Sequence, residues 1–156
     1  MADSPPLSNP RVIITRELSD AVQQRMCELF DAVPNYADTP FSRDDLIAAM
    51  ADCDVLAPTV TDHIDAEMIA NAPDRLRLIA SFGAGVDHID LAAARAKKIL
   101  VTNTPGVFTE DTADMTMALI LSAPRRLSDG EKLIRSGQWE GWKPSGMLGH
   151  CIGGKK

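Results

Sequence analysis

Cysteine is scarce and scattered: Cys27, Cys53 and Cys151 are odd in number, far apart and without a Cys-x-x-Cys pair. A disulfide framework and a cysteine-built zinc site are excluded on that ground, and a reducing cytoplasm is the expected location. Positive charge is also short. Sixteen Lys and Arg stand against 22 Asp and Glu, for a net charge of −6, and binding to nucleic-acid phosphates needs clustered cations. The pair Arg125-Arg126 is too short a run to change this. No apolar run approaches the roughly 20 residues that cross a bilayer; the longest, Met115 to Ala123, is broken by Thr116 and Ser122. The opening MADSPPLSNP has neither the basic nor the apolar stretch of a signal peptide, so none is expected. Its three prolines and two serines predict a loose leader over residues 1–10.

What is present is a soluble globular composition, 45% hydrophobic over 156 residues. That is enough for one compact domain, or a small domain with an appendage, without a covalent staple. From Arg11 onward short apolar runs alternate with helical patterns. Strands are predicted at Arg11-Val-Ile-Ile-Thr15, Asp54-Val-Leu-Ala57, Leu76-Arg-Leu-Ile-Ala80 and Ile99-Leu-Val-Thr102, with a weaker candidate at Val33 to Tyr36. Between them, Ser19 opens a helix with Val22, Met26, Leu29 and Phe30 as its apolar face. A capping box at Ser42-Arg-Asp-Asp45 opens a second helix carrying Leu46, Ile47 and Met50. Asp65 and Asp90 cap two shorter ones, the first carrying Met68 and Ile69 and the second running from Leu91 to Lys97. Strand–helix alternation implies parallel strands joined by crossovers. Residues 11–102 therefore read as a flavodoxin-like, doubly wound α/β domain.

Ligands of such sheets lie beyond the carboxyl ends of the strands, which directs attention to the loops after Ala57 and Ala80. The loop Gly83-Ala-Gly85 lets backbone approach a ligand closely, and successive free N–H groups can hold a carboxylate; the same residues also suit an ordinary tight turn. It is not a dinucleotide fingerprint, because His88 occupies the third glycine position. Pro58-Thr59-Val60 faces the same cleft, as a substrate contact or as plain loop. His88 reads as a helix-entry residue, His63 as solvated, and His150 has no identifiable partner. Asp52 and Asp54 flank Cys53 at a strand edge, and no metal is expected there.

The pattern changes after Thr102. Asn103-Thr-Pro-Gly106 is a hinge, and Thr109, Glu110 and Asp111 open a helix, with the acids at its favourable end. From Met115 to Ala123 this helix is apolar nearly all round, so it needs covering on more than one side. Ser128 is then expected to cap a helix over Asp129 to Arg135, followed by a loop containing Trp139 and Trp142.

The stretches Ser81-Phe-Gly-Ala-Gly-Val-Asp-His-Ile-Asp90, Val101-Thr-Asn-Thr-Pro-Gly106, Thr109-Glu-Asp-Thr-Ala-Asp114, Arg125-Arg126-Leu127 and Ser136-Gly-Gln-Trp-Glu-Gly-Trp142 occur in order. Together they resemble the D-isomer-specific 2-hydroxyacid dehydrogenase family, nearest its glyoxylate/hydroxypyruvate reductase branch, over essentially all of residues 11–156. The resemblance implies a substrate domain over 11–102, and over 103–156 the hinge and first helices of a nucleotide-binding domain. It implies hydride transfer between NAD or NADP and a small 2-oxo/2-hydroxy acid. By the same resemblance, the Ala84 and Gly85 N–H groups hold the substrate carboxylate. Thr59 lines the cleft, and Thr112 lies near the nicotinamide, unless its hydroxyl only satisfies the helix start. Trp142 reaches a partner's active site, unless it and Trp139 are loop anchors. Helix 109–126 packs in a homodimer. The family's Rossmann glycine turn and its catalytic Arg, acid and His have no counterpart in this sequence, so the expectation is a substrate-domain fragment, inactive alone and binding no cofactor alone. The rival expectation is a non-catalytic module that binds acids or dimerises with a longer relative. A phospho-receiver or flavin module is disfavoured, since Thr15-Arg16 and Ala57-Pro58 occupy the places where a receiver needs acids.

Overall fold

The computed structural model describes residues 9–155, so most of the expected leader lies outside the described residues. The chain falls into two compact units, Met1–Gly106 and Val107–Lys156.

The first unit is a five-stranded parallel sheet in the order β2-β1-β3-β4-β5. The strands are β1 (Arg11–Ile14), β2 (Asp31–Val33), β3 (Val55–Ala57), β4 (Leu78–Ala80) and β5 (Leu100–Thr102). Helices α1 (Asp20–Leu29), α2 (Arg43–Asp52), α3 (Ala66–Asn71) and α4 (Leu91–Ala96) connect them. The order reverses direction between β1 and β3, as in flavodoxin-like sheets. Val12, Ile13 and Ile14 pair with Val55, Leu56 and Ala57, which places an apolar, largely β-branched run at the centre, buried on both faces. The core joins Ile13, Leu56 and Ile79 from the sheet to Leu46, Met50, Met68 and Ile69 from the helices.

Local chemistry sets the helix starts. At α2 the Ser42 side chain accepts from Asp45 N while the Asp45 carboxylate accepts from Ser42 N, a complete capping box. Asp65 accepts from Met68 N and Asp90 from Ala93 N in the same manner. Ser19 precedes α1, but its side chain makes no capping hydrogen bond.

Three expectations need correction. The second strand lies at Asp31–Val33 rather than Val33 to Tyr36. Pro34 has no N–H to give a ladder, and Asp31 N donates to Pro10 O, which draws the pairing upstream. In α1 the expected face is rotated: Val22 and Leu29 are exposed and Gln23 is buried. The buried stripe is Gln23, with Met26 and Phe30 half-buried at i+3 and i+7. Among the described residues nothing pairs the buried Gln23 Oε1.

The third correction falls in the second unit, which is helical: α5 (Thr109–Arg125) and α6 (Leu127–Arg135), followed by a loop. Ser128 is not a cap. Arg126, at φ 55°, ends α5 in the left-handed conformation and precedes α6 directly, and its guanidinium donates to Asp129 at 2.9 Å. A single left-handed residue turns the chain, so α6 begins earlier than a Ser128 cap would allow. The following loop returns to the end of α5, where His150 N donates to Pro124 O at 2.7 Å. A β-carbon on Gly149 would stand 2.6 Å from that same oxygen, so the return requires glycine. No α5 residue is buried, and Met115 and Leu119 are both more than 60% exposed.

Candidate functional site

At the carboxyl edge of the sheet the chain leaves β1, β3, β4 and β5 at Thr15, Pro58, Ser81 and Asn103. Buried Asp62 ties two of these exits together. One of its carboxylate oxygens accepts from Thr15 Oγ1 at 2.5 Å, Thr59 N at 2.8 Å and Thr59 Oγ1 at 3.3 Å. The Thr59 hydroxyl also meets Thr61 Oγ1 at 2.9 Å. The β3 and β4 loops are zipped by Phe82 N donating to Pro58 O at 2.8 Å and by a bridge between Thr59 and Phe82. Gly83 sits under Val60: a β-carbon there would stand 2.4 Å from Val60 Cγ1. No non-glycine residue fits between these loops unless Val60 moves.

Beyond Gly83 the loop is held by its carbonyls. Thr104 N donates to Gly83 O at 2.9 Å, and Asn103 Nδ2 donates to Ala84 O at 2.7 Å. The N–H groups of Ala84 and Gly85 meet no acceptor among the described residues, and both residues are exposed. This edge therefore presents two adjacent main-chain donors, an arrangement suited to a small anion.

Behind the loop, buried Ser81 Oγ lies 3.2 Å from His88 Nε2. Burial lowers the His88 pKa, opposed by the carboxylates of Asp62 and Asp87. The imidazole is thus kept neutral to lower pH than a free histidine, and it acts as a buttress for the β4 exit. His63 is exposed. Asp52 and Asp54 lie at the opposite edge, engaged by arginines: Arg11 to Asp52 at 2.8 Å and Arg75 to Asp54 at 3.2 Å. Among the described residues no group of His, Cys, Asp and Glu is arranged to hold a metal.

Of the predicted residues, the fold brings together Thr59, Ala84 and Gly85. Thr112 and Trp142 belong to the second unit. The Thr112 hydroxyl makes no hydrogen bond among the described residues, and its carbonyl accepts from Thr116 Oγ1 at 2.7 Å. Trp142 is 83% exposed and Trp139 57%, so neither is a buried anchor within this chain. Sequence reasoning missed Asp62, Thr15, Ser81 and Asn103. Only Asp62 had a local signal, the Thr-x-x-Asp spacing from Thr59. Thr15 and Asn103 act across strands, and Ser81 acts on His88 within its own loop.

The family model for the D-isomer specific 2-hydroxyacid dehydrogenase, catalytic domain, matches residues 12–144. Glyoxylate reductase of Korarchaeum cryptofilum is 40% identical over 147 residues, covering 94% of this chain and 44% of that enzyme. Among solved structures, the TT0316 protein of Thermus thermophilus superposes with a TM-score of 0.78 at 40% identity, over 89% of this chain and 44% of that one. An NADPH-dependent glyoxylate/hydroxypyruvate reductase of Sinorhizobium meliloti, solved with NADP and malonate, gives 0.67 at 31% identity over 88% and 42%. The chain thus spans less than half the length of these relatives. No described helix is long and apolar enough to cross a membrane.

Proposed function

Because the chain belongs to the D-isomer specific 2-hydroxyacid dehydrogenase family, we propose that it is the substrate-side portion of an enzyme that moves hydride between NAD or NADP and a small 2-oxo/2-hydroxy acid such as glyoxylate or hydroxypyruvate. In this reading residues 11–102 bind substrate, and 103–156 form the hinge and first helices of a nucleotide-binding domain. The observation that carries it is the pair of exposed, unpaired N–H groups on Ala84 and Gly85 at the carboxyl edge of the sheet. They would hold the substrate carboxylate, with Thr59 lining the cleft beside them. That the Sinorhizobium reductase was solved in complex with malonate, a dicarboxylate, supports the reading.

Gly83-Ala-Gly85 does not fit a dinucleotide pyrophosphate, since His88 stands at the third glycine position. Thr112 near the nicotinamide and Trp142 in a partner's active site complete the assignment, in a cytoplasmic homodimer. The 156-residue chain is expected to give no glyoxylate- or hydroxypyruvate-dependent oxidation of NADH or NADPH. In 15N NMR titrations, glyoxylate is expected to shift the Ala84 and Gly85 amides. Turnover by this chain, or shifts that bypass both amides, refutes the reading.

A second reading, a non-catalytic module that pairs with a longer relative, is favoured by the exposed Met115, Met117, Leu119, Ile120 and Leu121 on α5. Light scattering on a size-exclusion column tests it, and a monodisperse monomer counts against it.

A further inference from the structure

Each of the two cradle donors shares a peptide unit with a carbonyl that is itself held. Gly83 C=O and Ala84 N–H form one unit, and Ala84 C=O and Gly85 N–H form the next. Peptide units are planar, and no cis bond occurs here, so within each unit the N–H points opposite to the C=O. Fixing an oxygen therefore aims a donor. Thr104 N holds Gly83 O at 2.9 Å and so directs the Ala84 N–H. Asn103 Nδ2 holds Ala84 O at 2.7 Å and so directs the Gly85 N–H.

The second restraint matters more, because the unit it holds ends in glycine. Turning the 84–85 peptide over changes ψ of Ala84 and φ of Gly85, and glycine accepts either sign of φ. Gly85 has open space around it, its nearest prospective neighbour for a β-carbon being Asp87 Oδ2 at 3.6 Å. Local sterics thus leave two orientations open, and the Asn103 amide selects the one that points the donor outward.

We propose that Asn103 is a positioning residue for carboxylate binding: it touches no substrate, but orients the Gly85 N–H by holding the Ala84 carbonyl. The proposal rests on the reading of Ala84 and Gly85 as the carboxylate cradle. It also makes the hinge and the cradle one structural piece, since Asn103 and Thr104 begin the segment that runs on to Gly106.

The test is a 15N NMR titration of the 156-residue chain with malonate, for the parent, Asn103→Ala and Asn103→Asp. Asn103→Asp is nearly isosteric but sets an acceptor against the Ala84 carbonyl. The parent should show both amides shifting together. Losing one aimed donor to a carboxylate should weaken the malonate Kd about tenfold in both variants. The loss of response should concentrate on Gly85, while Ala84, still aimed by Thr104, keeps responding. A merely structural role would dull both amides equally and lower the urea midpoint, and that result overturns the proposal. So do variants that bind within twofold of the parent with Gly85 still responding, in which case the cradle stands without Asn103. A parent in which neither amide moves removes the cradle itself, and the proposal with it.

Discussion

Replacing Asp62 with alanine tests whether the carboxyl edge of the sheet is held as described. The carboxylate is 3% exposed and serves the Thr15 hydroxyl, itself 0% exposed, and the Thr59 N–H. Truncation leaves a fully buried hydroxyl and a half-buried N–H without their acceptor, at about 1–3 kcal/mol for each group that water cannot reach. Relief of the cost of burying a charge offsets part of this. The expected net loss is about 2–3 kcal/mol, or roughly 10–20 °C in Tm for a unit of this size. Thr15→Val alone should cost about 1 kcal/mol, but once Asp62 is alanine it should instead recover about 1 kcal/mol, because it removes the hydroxyl left without an acceptor. Urea unfolding followed by far-UV circular dichroism measures all four corners of the cycle. Tryptophan fluorescence would watch the wrong half, since Trp139 and Trp142 both lie beyond Gly106. The account fails if Asp62→Ala stays within about 0.5 kcal/mol of the parent at unchanged m-value, or if Thr15→Val costs as much in the alanine background as alone.

Two further predictions concern titrating groups. Burial foremost, with Asp54 adding to it, pushes the Cys53 thiol up to about 12, while Cys27 and Cys151 are exposed. A thiol reagent at neutral pH should therefore label two cysteines rapidly and the third only on unfolding; three fast equivalents in the native protein contradict this. Asp38 is held down to about 2 by the Arg16 guanidinium first and the Glu17 N–H second. A carboxylate lowered on folding stabilises above its unfolded pKa near 3.8, and that contribution fades as pH falls toward 2. Asp38→Asn should accordingly reduce the stability difference between pH 6 and pH 2, measured by urea midpoints, and an unchanged difference removes the ion pair from the account.

Much of the fold was legible because its determinants are local. The capping residues Ser42, Asp65 and Asp90 lie three positions before the N–H groups they serve, and the apolar β-branched run of β1 has no alternative but a buried strand. The misreadings share a physical origin in context. Val33 looks like the start of a strand until Pro34 is asked for a ladder donor, and Val22 and Leu29 look like core although Gln23 takes the buried position of α1. Arg126 carries no sign in its side chain that it will adopt a left-handed turn. The site divides the same way. Gly83-Ala-Gly85 could be read from its glycines, whereas Thr15 and Asn103 matter through partners 47 and 19 residues away, which only the strand order brings near, and Ser81 through His88 at the far end of the same loop.

The donors on this edge belong to the main chain, and that has a consequence for mutational surveys. An alanine scan would leave residue 84 as it is and would keep the N–H at 85, so these two positions would score as silent surface however much binding depends on them. Side-chain identity at position 84 is correspondingly free to drift, because nothing the loop offers outward is written in a side chain. Only proline deletes such a donor, so a survey that substitutes proline through 84–85 would register these two positions where a conventional scan passes over them.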